Sequence, residues 1–208
     1  MVRILDGKKI AEEIQGELRQ KIEDLKSKGI IPKLATILVG EDPAVLSYLR
    51  RIQKSFETIG IAVKVFKLPG DITGEDLKKK IIEINQDPKI HGILLQMPLP
   101  KHIDVNEVSK IIDPSKDVDC INPINMGLFL LGNPRFVPCT PSAVYEILKR
   151  SGYELKGREV VVVGGAGRVG RLITLLLIRN GATVTACDIF TRDLAKHTRE
   201  AEILVSAV

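Results

Sequence analysis

Three glycines, Gly165, Gly167 and Gly170, have the spacing of a turn that binds phosphate. They lie between a β-branched run and an apolar run, which predict a strand and the helix that follows it. Glycines at these positions permit a tight turn and let the backbone approach a pyrophosphate, to which the helix amino terminus offers N–H groups. The motif predicts a dinucleotide site that includes Arg168 and Val169; a tight strand–helix turn without a ligand is the alternative.

An acidic residue beyond the glycines indicates which dinucleotide is bound. Asp188 ends the next β-branched run, close to the spacing of about 20 residues at which a carboxylate hydrogen-bonds the adenosine ribose. Because a carboxylate repels the 2′-phosphate of NADP, the sequence favours NAD over NADP. The alternative is that Asp188 caps the helix after it, a position for which Thr191 is a rival.

Strand-like and helix-like patterns alternate along the chain that positions these residues. Apolar or alternating runs predict strands at 34–40, 62–68, 92–96, 159–164, 182–187 and 202–207. Amphipathic runs with capping residues and glycine stops predict helices at 7–28, 43–60, 74–85, 105–112, 142–152, 168–180 and 192–197. This alternation predicts an α/β protein whose sheets are mostly parallel, with helices on their faces.

A stretch rich in proline and glycine, 113–141, interrupts the alternation and predicts an irregular crossing between two domains. We place an α/β substrate domain at residues 1–140 and a Rossmann-like, doubly wound dinucleotide-binding domain at residues 141–208. The sequence ends at Val208, on the third strand of a sheet that normally has more. We therefore expect the second domain to be incomplete here and the natural protein to be longer; an unusually small second domain is the alternative.

Composition limits the partners and the location. The net charge is only +5 over 208 residues, and basic side chains are interleaved with acidic ones along the N-terminal helices, so no binding to nucleic acid is expected. The three cysteines are far apart and no cluster has metal-ligand spacing, which argues against disulfides and a metal site. The sequence has no signal peptide and no run that could span a membrane, so the expected location is the cytoplasm.

Four segments have compositions that packing alone does not require. They are GEDPA at 40–44 leading to Tyr48, QMPLP at 96–100, KDVD at 116–119 followed by PINMG at 123–127, and PCTP at 138–141. In this order they resemble the bifunctional methylenetetrahydrofolate dehydrogenase–cyclohydrolase family. The resemblance runs from the opening ILDGKKIAEEI to Val208 and so covers the whole chain.

The resemblance implies a reaction and a set of site residues. The family oxidises 5,10-methylenetetrahydrofolate by hydride transfer to a nicotinamide, and many members then hydrolyse the methenyl product to 10-formyltetrahydrofolate. By resemblance, Tyr48 lines or stacks on the folate, Gln96 shapes the reaction centre and Asp119 holds the pterin, while Pro98 contacts the substrate and Thr140 the cofactor. A homodimer is implied in the same way.

Each of these residues also has an ordinary structural interpretation. Tyr48 on its own reads as helix packing, Gln96 as a strand-end hydrogen bond and Asp119 as a residue that forms a turn. The chemistry of the implied roles is sound, because a carboxylate suits the paired N–H donors of a pterin and a tyrosine offers a stacking face.

Departures from the family pattern alter the expected activity. The family motif is Tyr-x-x-x-Lys, whereas Ile52 stands four residues after Tyr48. The lysine is linked to the hydrolytic step, in which a proton is managed beside an activated water, so cyclohydrolase activity is doubtful. Gly165 and Ala166 stand where the family has an arginine and a serine suited to a 2′-phosphate, and Cys120 stands in place of a glycine.

Three hypotheses follow from these patterns. The leading one is an NAD-dependent methylenetetrahydrofolate dehydrogenase with weak or absent cyclohydrolase activity. The second is the NADP-dependent bifunctional enzyme, with Arg168 or Arg192 compensating in the nucleotide loop. The third is a paralogue that binds folate or a dinucleotide without catalysis.

Overall fold

The computed structural model describes residues 4–208. The strands in this range are β1 Lys33–Val39, β2 Ala62–Leu68, β3 Gly92–Leu95, β4 Glu159–Val163, β5 Thr183–Cys187 and β6 Ile203–Ser206. The helices are α1 Gly7–Ser27, α2 Pro43–Thr58, α3 Gly74–Gln86, α4 Val105–Ser109, α5 Pro123–Leu130, α6 Cys139–Arg150, α7 Arg168–Arg179 and α8 Leu194–Glu200.

The chain forms two compact units. The N-terminal unit is Ala11–Phe129, and the C-terminal unit joins residues 4–10 with Leu130–Val208. The boundary between functional domains that the sequence places at residue 140 stays a prediction. Each unit holds one three-stranded sheet, and each sheet is parallel throughout, which confirms the predicted α/β class.

In the N-terminal unit β1 lies between β2 and β3. Every residue of β1 after Lys33 is buried, as expected of a parallel strand that is covered on both faces. Ile37 of β1 packs in one core cluster with Leu77 and Ile81 of α3, all fully buried. Each such side chain contributes about 1.5–3 kcal/mol relative to an exposed one, so the sheet is a firm support for the loops at its edges.

In the C-terminal unit β4 lies between β5 and β6. Val163 at the end of β4 is in register with Cys187 and with Ser206, so the three strands end at one edge. Ile173 and Leu177 of α7 are buried in the core cluster of this unit. The glycine turn leads from β4 into α7 at this edge, where open α/β sheets bind their ligands.

The prediction of an irregular segment across 113–141 is wrong in part. Residues Pro123–Leu130 form α5, and α6 begins at Cys139, three residues before the predicted start. A proline is accepted at the first position of a helix because that N–H needs no partner there. The side chain of Asn122 accepts the N–H of Ile124 at 2.8 Å, which supports the first turn of α5. The sequence prediction missed this short helix because proline, glycine and asparagine are typical of loops.

Candidate functional site

The glycine turn is closed by backbone hydrogen bonds to the neighbouring strand. The N–H groups of Gly164 and Gly165 donate to the carbonyl oxygen of Cys187 at 2.8 and 2.9 Å, and Gly167 N–H donates to Gly164 O at 2.9 Å. Gly164 has a φ of +83°, a conformation that side chains rarely adopt. The turn therefore depends on glycine for its backbone conformation.

Two further glycines are required by close contacts. A Cβ atom at Gly170 would lie 2.1 Å from Gly164 O, and one at Gly165 would lie 2.7 Å from Ala186 Cβ. Both distances are far below van der Waals contact. At Gly170, α7 approaches the backbone of the turn, and at Gly165 the turn approaches β5, this closely only because both residues lack a side chain, as a dinucleotide-binding turn requires.

The amino terminus of α7 can accept an anion. Its N-cap is Gly167, which offers no side chain to the first N–H groups of the helix. Arg168 and Val169 at the first two positions are exposed. The uncapped N–H groups and the positive end of the helix dipole suit a pyrophosphate, so the residues present fit the predicted dinucleotide.

Asp188 follows β5 directly and is half-buried. Its Oδ1 accepts the N–H of Phe190 at 2.8 Å, and its own N–H donates to Thr191 Oγ1 at 2.8 Å. The alternative from the sequence, that Asp188 or Thr191 caps α8, is wrong. The N-cap is Asp193, whose side chain accepts the N–H of Lys196. Asp188 is thus a turn residue beside the glycine turn, where a ribose carboxylate is expected.

The remaining cofactor candidate, Thr140, is exposed and lies in the first turn of α6. The N-cap of α6 is Pro138, and no side chain caps the helix. The sequence had placed Thr140 in a loop, so its position in a helix is a correction.

The three predicted folate residues lie on segments that lead from the carboxyl edge of the N-terminal sheet. Tyr48 is on α2, which follows β1, and is 57% exposed. Gln96 follows the last residue of β3. Asp119 is half-buried and lies two residues after Asp117, which forms a parallel bridge with Ile93 of β3.

Gln96 has an unusual environment. It is 5% exposed, and its backbone N–H donates to Ile37 O at 2.9 Å. Its side-chain Nε2 is buried and has no hydrogen-bond partner within residues 4–208. A buried donor left unpaired costs about 1–3 kcal/mol, and a ligand that accepts this hydrogen bond would remove the cost. Pro98, two residues further on, is exposed.

Asp117 is a fully buried carboxylate whose role the sequence did not reveal. It accepts the N–H of Ile121 at 3.0 Å, the N–H of Asn122 at 2.9 Å and the side-chain amide of Asn125 at 2.9 Å. These bonds hold the segment that carries Asp119. Both aspartates of the KDVD motif, Asp117 and Asp119, stand out in the sequence, but the sequence does not show which of the two is buried.

Cys120 occupies a position at which glycine is favoured. Its φ is +56° and its side chain is fully buried. Burial, together with the charges of Asp117 and Asp119, raises the pKa of the Cys120 thiol to about 11. The thiol therefore stays protonated near neutral pH.

We expect a thiol reagent at about pH 8 to modify Cys139 in the native protein and to spare Cys120 and Cys187. Cys139 is exposed, whereas the other two are buried and Cys120 has a raised pKa. Mass spectrometry of the labelled protein checks this, with Cys139→Ser as the control that abolishes native labelling. Rapid labelling of Cys120 in folded protein would contradict the burial described here.

Ile52 stands at the position of the family lysine. It lies on α2, one turn after Tyr48, and is half-buried, whereas Arg51 and Lys54 on the same helix are exposed. Lys54 is six residues from Tyr48, about 240° around the helix, so it does not share the face of Tyr48. That an aliphatic side chain here replaces the proton-handling lysine of the family stays a prediction from the resemblance.

A cavity of about 500 Å³ lies at the carboxyl ends of β1 and β2. Gly40, Glu41, Leu46 and Lys67 are among its lining residues, whereas Tyr48, Gln96 and Asp119 are not. Within residues 4–208 no group of three or more His, Cys, Asp or Glu side chains could hold a metal ion. None of the described helices has the length and apolarity needed to cross a membrane.

The parallel sheets, the glycine turn and the acidic turn after β5 define an α/β protein with a dinucleotide-binding unit. Two family models match the chain. The model for tetrahydrofolate dehydrogenase/cyclohydrolase, catalytic domain, matches residues 5–119, and the model for tetrahydrofolate dehydrogenase/cyclohydrolase, NAD(P)-binding domain, matches residues 138–208. The chain therefore belongs to the tetrahydrofolate dehydrogenase/cyclohydrolase family, a family of NAD(P)-dependent enzymes, as its motifs predict.

Individual relatives agree with this assignment. The bifunctional protein FolD of Geotalea uraniireducens is 46% identical over 208 residues, which are 100% of this chain and 74% of the relative. The structure of the bifunctional enzyme FolD from Campylobacter jejuni is 42% identical, with a TM-score of 0.96 over 99% of this chain and 73% of that one. The Trypanosoma brucei enzyme, complexed with NADP and an inhibitor, is 38% identical, with a TM-score of 0.93 over 100% and 71%.

Proposed function

We propose that the protein is an NAD-dependent methylenetetrahydrofolate dehydrogenase with weak or absent cyclohydrolase activity. The observation that carries the choice of NAD is the carboxylate of Asp188, which follows β5 beside the glycine turn. A fixed negative charge there accepts ribose hydroxyls and repels a 2′-phosphate. The weak cyclohydrolase activity is inferred from Ile52, which stands in place of the family lysine.

The nucleotide would be held by the C-terminal unit. The uncapped N–H groups at Arg168 and Val169 face the pyrophosphate, and Gly165, Gly167 and Gly170 give it room. Thr140, exposed in the first turn of α6, adds a further contact to the cofactor. The bound nicotinamide supplies the hydride acceptor, and the protein supplies orientation, which is the chief requirement of hydride transfer.

The folate would be held by the N-terminal unit. Asp119 accepts the paired N–H donors of the pterin, and the exposed ring of Tyr48 provides a stacking face. Pro98, two residues after Gln96 on the same segment, adds a further contact to the substrate. The buried Nε2 of Gln96 donates to an acceptor on the substrate, which would satisfy the donor that has no partner within residues 4–208.

A second candidate is the NADP-dependent bifunctional enzyme. The Trypanosoma brucei relative was solved with NADP, and Arg168 and Arg192 of this chain are exposed cations near the nucleotide loop. The absorbance of reduced nicotinamide, followed with methylenetetrahydrofolate and either NAD or NADP, decides between the two. The proposal requires a higher kcat/KM with NAD. A protein that reduces neither coenzyme would be a paralogue without catalysis.

We expect Asp188→Ser combined with Ala166→Ser to lower the ratio of kcat/KM for NAD to that for NADP by at least about tenfold. The first change removes a repelling charge and the second adds a phosphate donor at an exposed position. An arginine at Gly165 is not part of the design, because its Cβ would lie 2.7 Å from Ala186 Cβ. Steady-state kinetics with both coenzymes check this; an unchanged ratio would show that Asp188 does not select the coenzyme.

We extend the proposal to location and assembly. The likeness to the FolD proteins of bacteria supports action in the cytoplasm. The family resemblance supports a homodimer. Light scattering coupled to size exclusion measures the oligomeric state directly.

A further inference from the structure

The residues that follow β5 form a closed turn around Asp188. The N–H of Thr191 donates to Asp188 O at 3.2 Å, and the N–H of Asp188 donates to Thr191 Oγ1 at 2.8 Å. The N–H of Phe190 donates to Asp188 Oδ1 at 2.8 Å, and Thr191 Oγ1 lies 3.4 Å from the same oxygen. The hydroxyl of Thr191 thus both accepts from and donates to Asp188.

These contacts differ between the two carboxylate oxygens of Asp188. Oδ1 receives both donors of the turn, whereas Oδ2 makes no hydrogen bond within residues 4–208. The two side chains between Asp188 and Thr191 are apolar and point away from the core: Ile189 is 90% and Phe190 is 83% exposed. Neither offers a cation to a phosphate, so within residues 188–191 the carboxylate is the charged group that the turn presents, and the nearest cation along the chain is the exposed Arg192.

We infer that Thr191 is a positioning residue for coenzyme selection, because its hydroxyl holds the Asp188 carboxylate in the orientation that meets the adenosine ribose. The inference rests on the proposed use of NAD. A carboxylate that is already fixed accepts ribose hydroxyls without losing side-chain freedom on binding. The same fixed charge cannot turn away from a 2′-phosphate, so the turn penalises NADP.

The test measures binding rather than turnover. Thr191→Val removes the hydroxyl and keeps the shape of the side chain. We expect the Kd of NAD, measured by titration calorimetry, to rise by about five- to tenfold, which corresponds to the loss of one or two modest hydrogen bonds. The Kd of NADP is expected to stay the same or to fall, because the carboxylate is then able to swing away from the phosphate.

Two single variants serve as controls. Thr191→Ser keeps the hydroxyl and is expected to keep the ratio of the two Kd values found in the parent. Thr198→Val makes the matched change on α8, where Thr198 Oγ1 donates to Ala195 O at 3.2 Å, and is expected to leave both Kd values unchanged. If Thr191→Val raises both Kd values equally, the residue is merely structural and the inference is overturned.

A double-mutant cycle with Asp188→Ala separates the inference from the proposed function. If Thr191 acts through Asp188, Thr191→Val adds no further loss of NAD affinity in the Asp188→Ala background, whereas fully additive losses would overturn the inference. If Asp188→Ala alone leaves the ratio of NAD to NADP affinity unchanged, the proposed use of NAD fails. If Asp188→Ala shifts the ratio and Thr191→Val does not, the positioning role alone fails.

Discussion

Replacing Ile52 with lysine is expected to raise the rate of methenyltetrahydrofolate hydrolysis by at least about tenfold, from a parent rate close to the uncatalysed one. General acid–base assistance contributes about 100- to 10,000-fold in enzymes, and a newly introduced group recovers only part of that. Ile52 can neither donate nor accept a proton, nor can it stabilise charge as water adds to the methenyl carbon. The dehydrogenase rate is expected to change little, since hydride transfer depends mainly on how the two rings are oriented.

The position of Ile52 makes the effect specific. It follows Tyr48 by one turn of α2, so both side chains share a face of the helix. Ile52 is half-buried, which lowers the dielectric around an introduced ammonium and shifts its pKa toward a useful range. Arg51 is exposed and its guanidinium does not release a proton, so it does not replace the lysine.

A matched control is Gln53→Lys. Gln53 is the next residue of α2 and is also half-buried, but its side chain points about 100° away around the helix. The Gln53→Lys variant is expected to hydrolyse methenyltetrahydrofolate at the parent rate. Thermal melting of both variants shows whether a buried lysine has destabilised the unit instead. If the parent itself hydrolyses methenyltetrahydrofolate far faster than the uncatalysed reaction, another group performs the task of the lysine.

The sequence was a good guide to elements built on apolar periodicity. The run EVVVV at 159–163 could be recognised as a strand because β-branched residues fill a buried parallel strand. The glycines after it could be recognised because their spacing reflects backbone approach, which the distances at Gly165 and Gly170 show directly. These features depend on local patterns that a single sequence carries.

Other features depend on contacts between distant residues or on competing local choices. Helix α5 was missed because its proline, glycine and asparagine are typical of loops, and its support comes from Asn122 and from the bonds around Asp117. The N-cap of α8 was not identified from the sequence, because three residues in DIFTRD could each cap a helix and only Asp193 does. The unpaired Nε2 of Gln96 is a property of burial and has no signature in sequence.

Gly170→Ala is expected to abolish measurable dinucleotide binding and to destabilise the C-terminal unit. The added Cβ would lie 2.1 Å from Gly164 O, 2.7 Å from Gly164 C and 2.9 Å from Gly165 Cα. All three atoms belong to the backbone of the turn, so no side-chain rotation relieves the clash. Either α7 moves away from β4 or the turn opens, at a cost of about 1–3 kcal/mol or more.

The control for this prediction is the same substitution at a glycine with free space around it. Gly16 lies inside α1, and a Cβ there would meet nothing within 4 Å. Gly16→Ala is expected to stabilise the protein by about 0.5–1 kcal/mol, because alanine loses less backbone entropy than glycine in a helix. Calorimetric titration with NAD and thermal melting on both variants supply the comparison. If Gly170→Ala binds NAD as the parent does, the contact between α7 and the glycine turn is looser than the distances require, and the assignment of the pyrophosphate to this turn loses its main support.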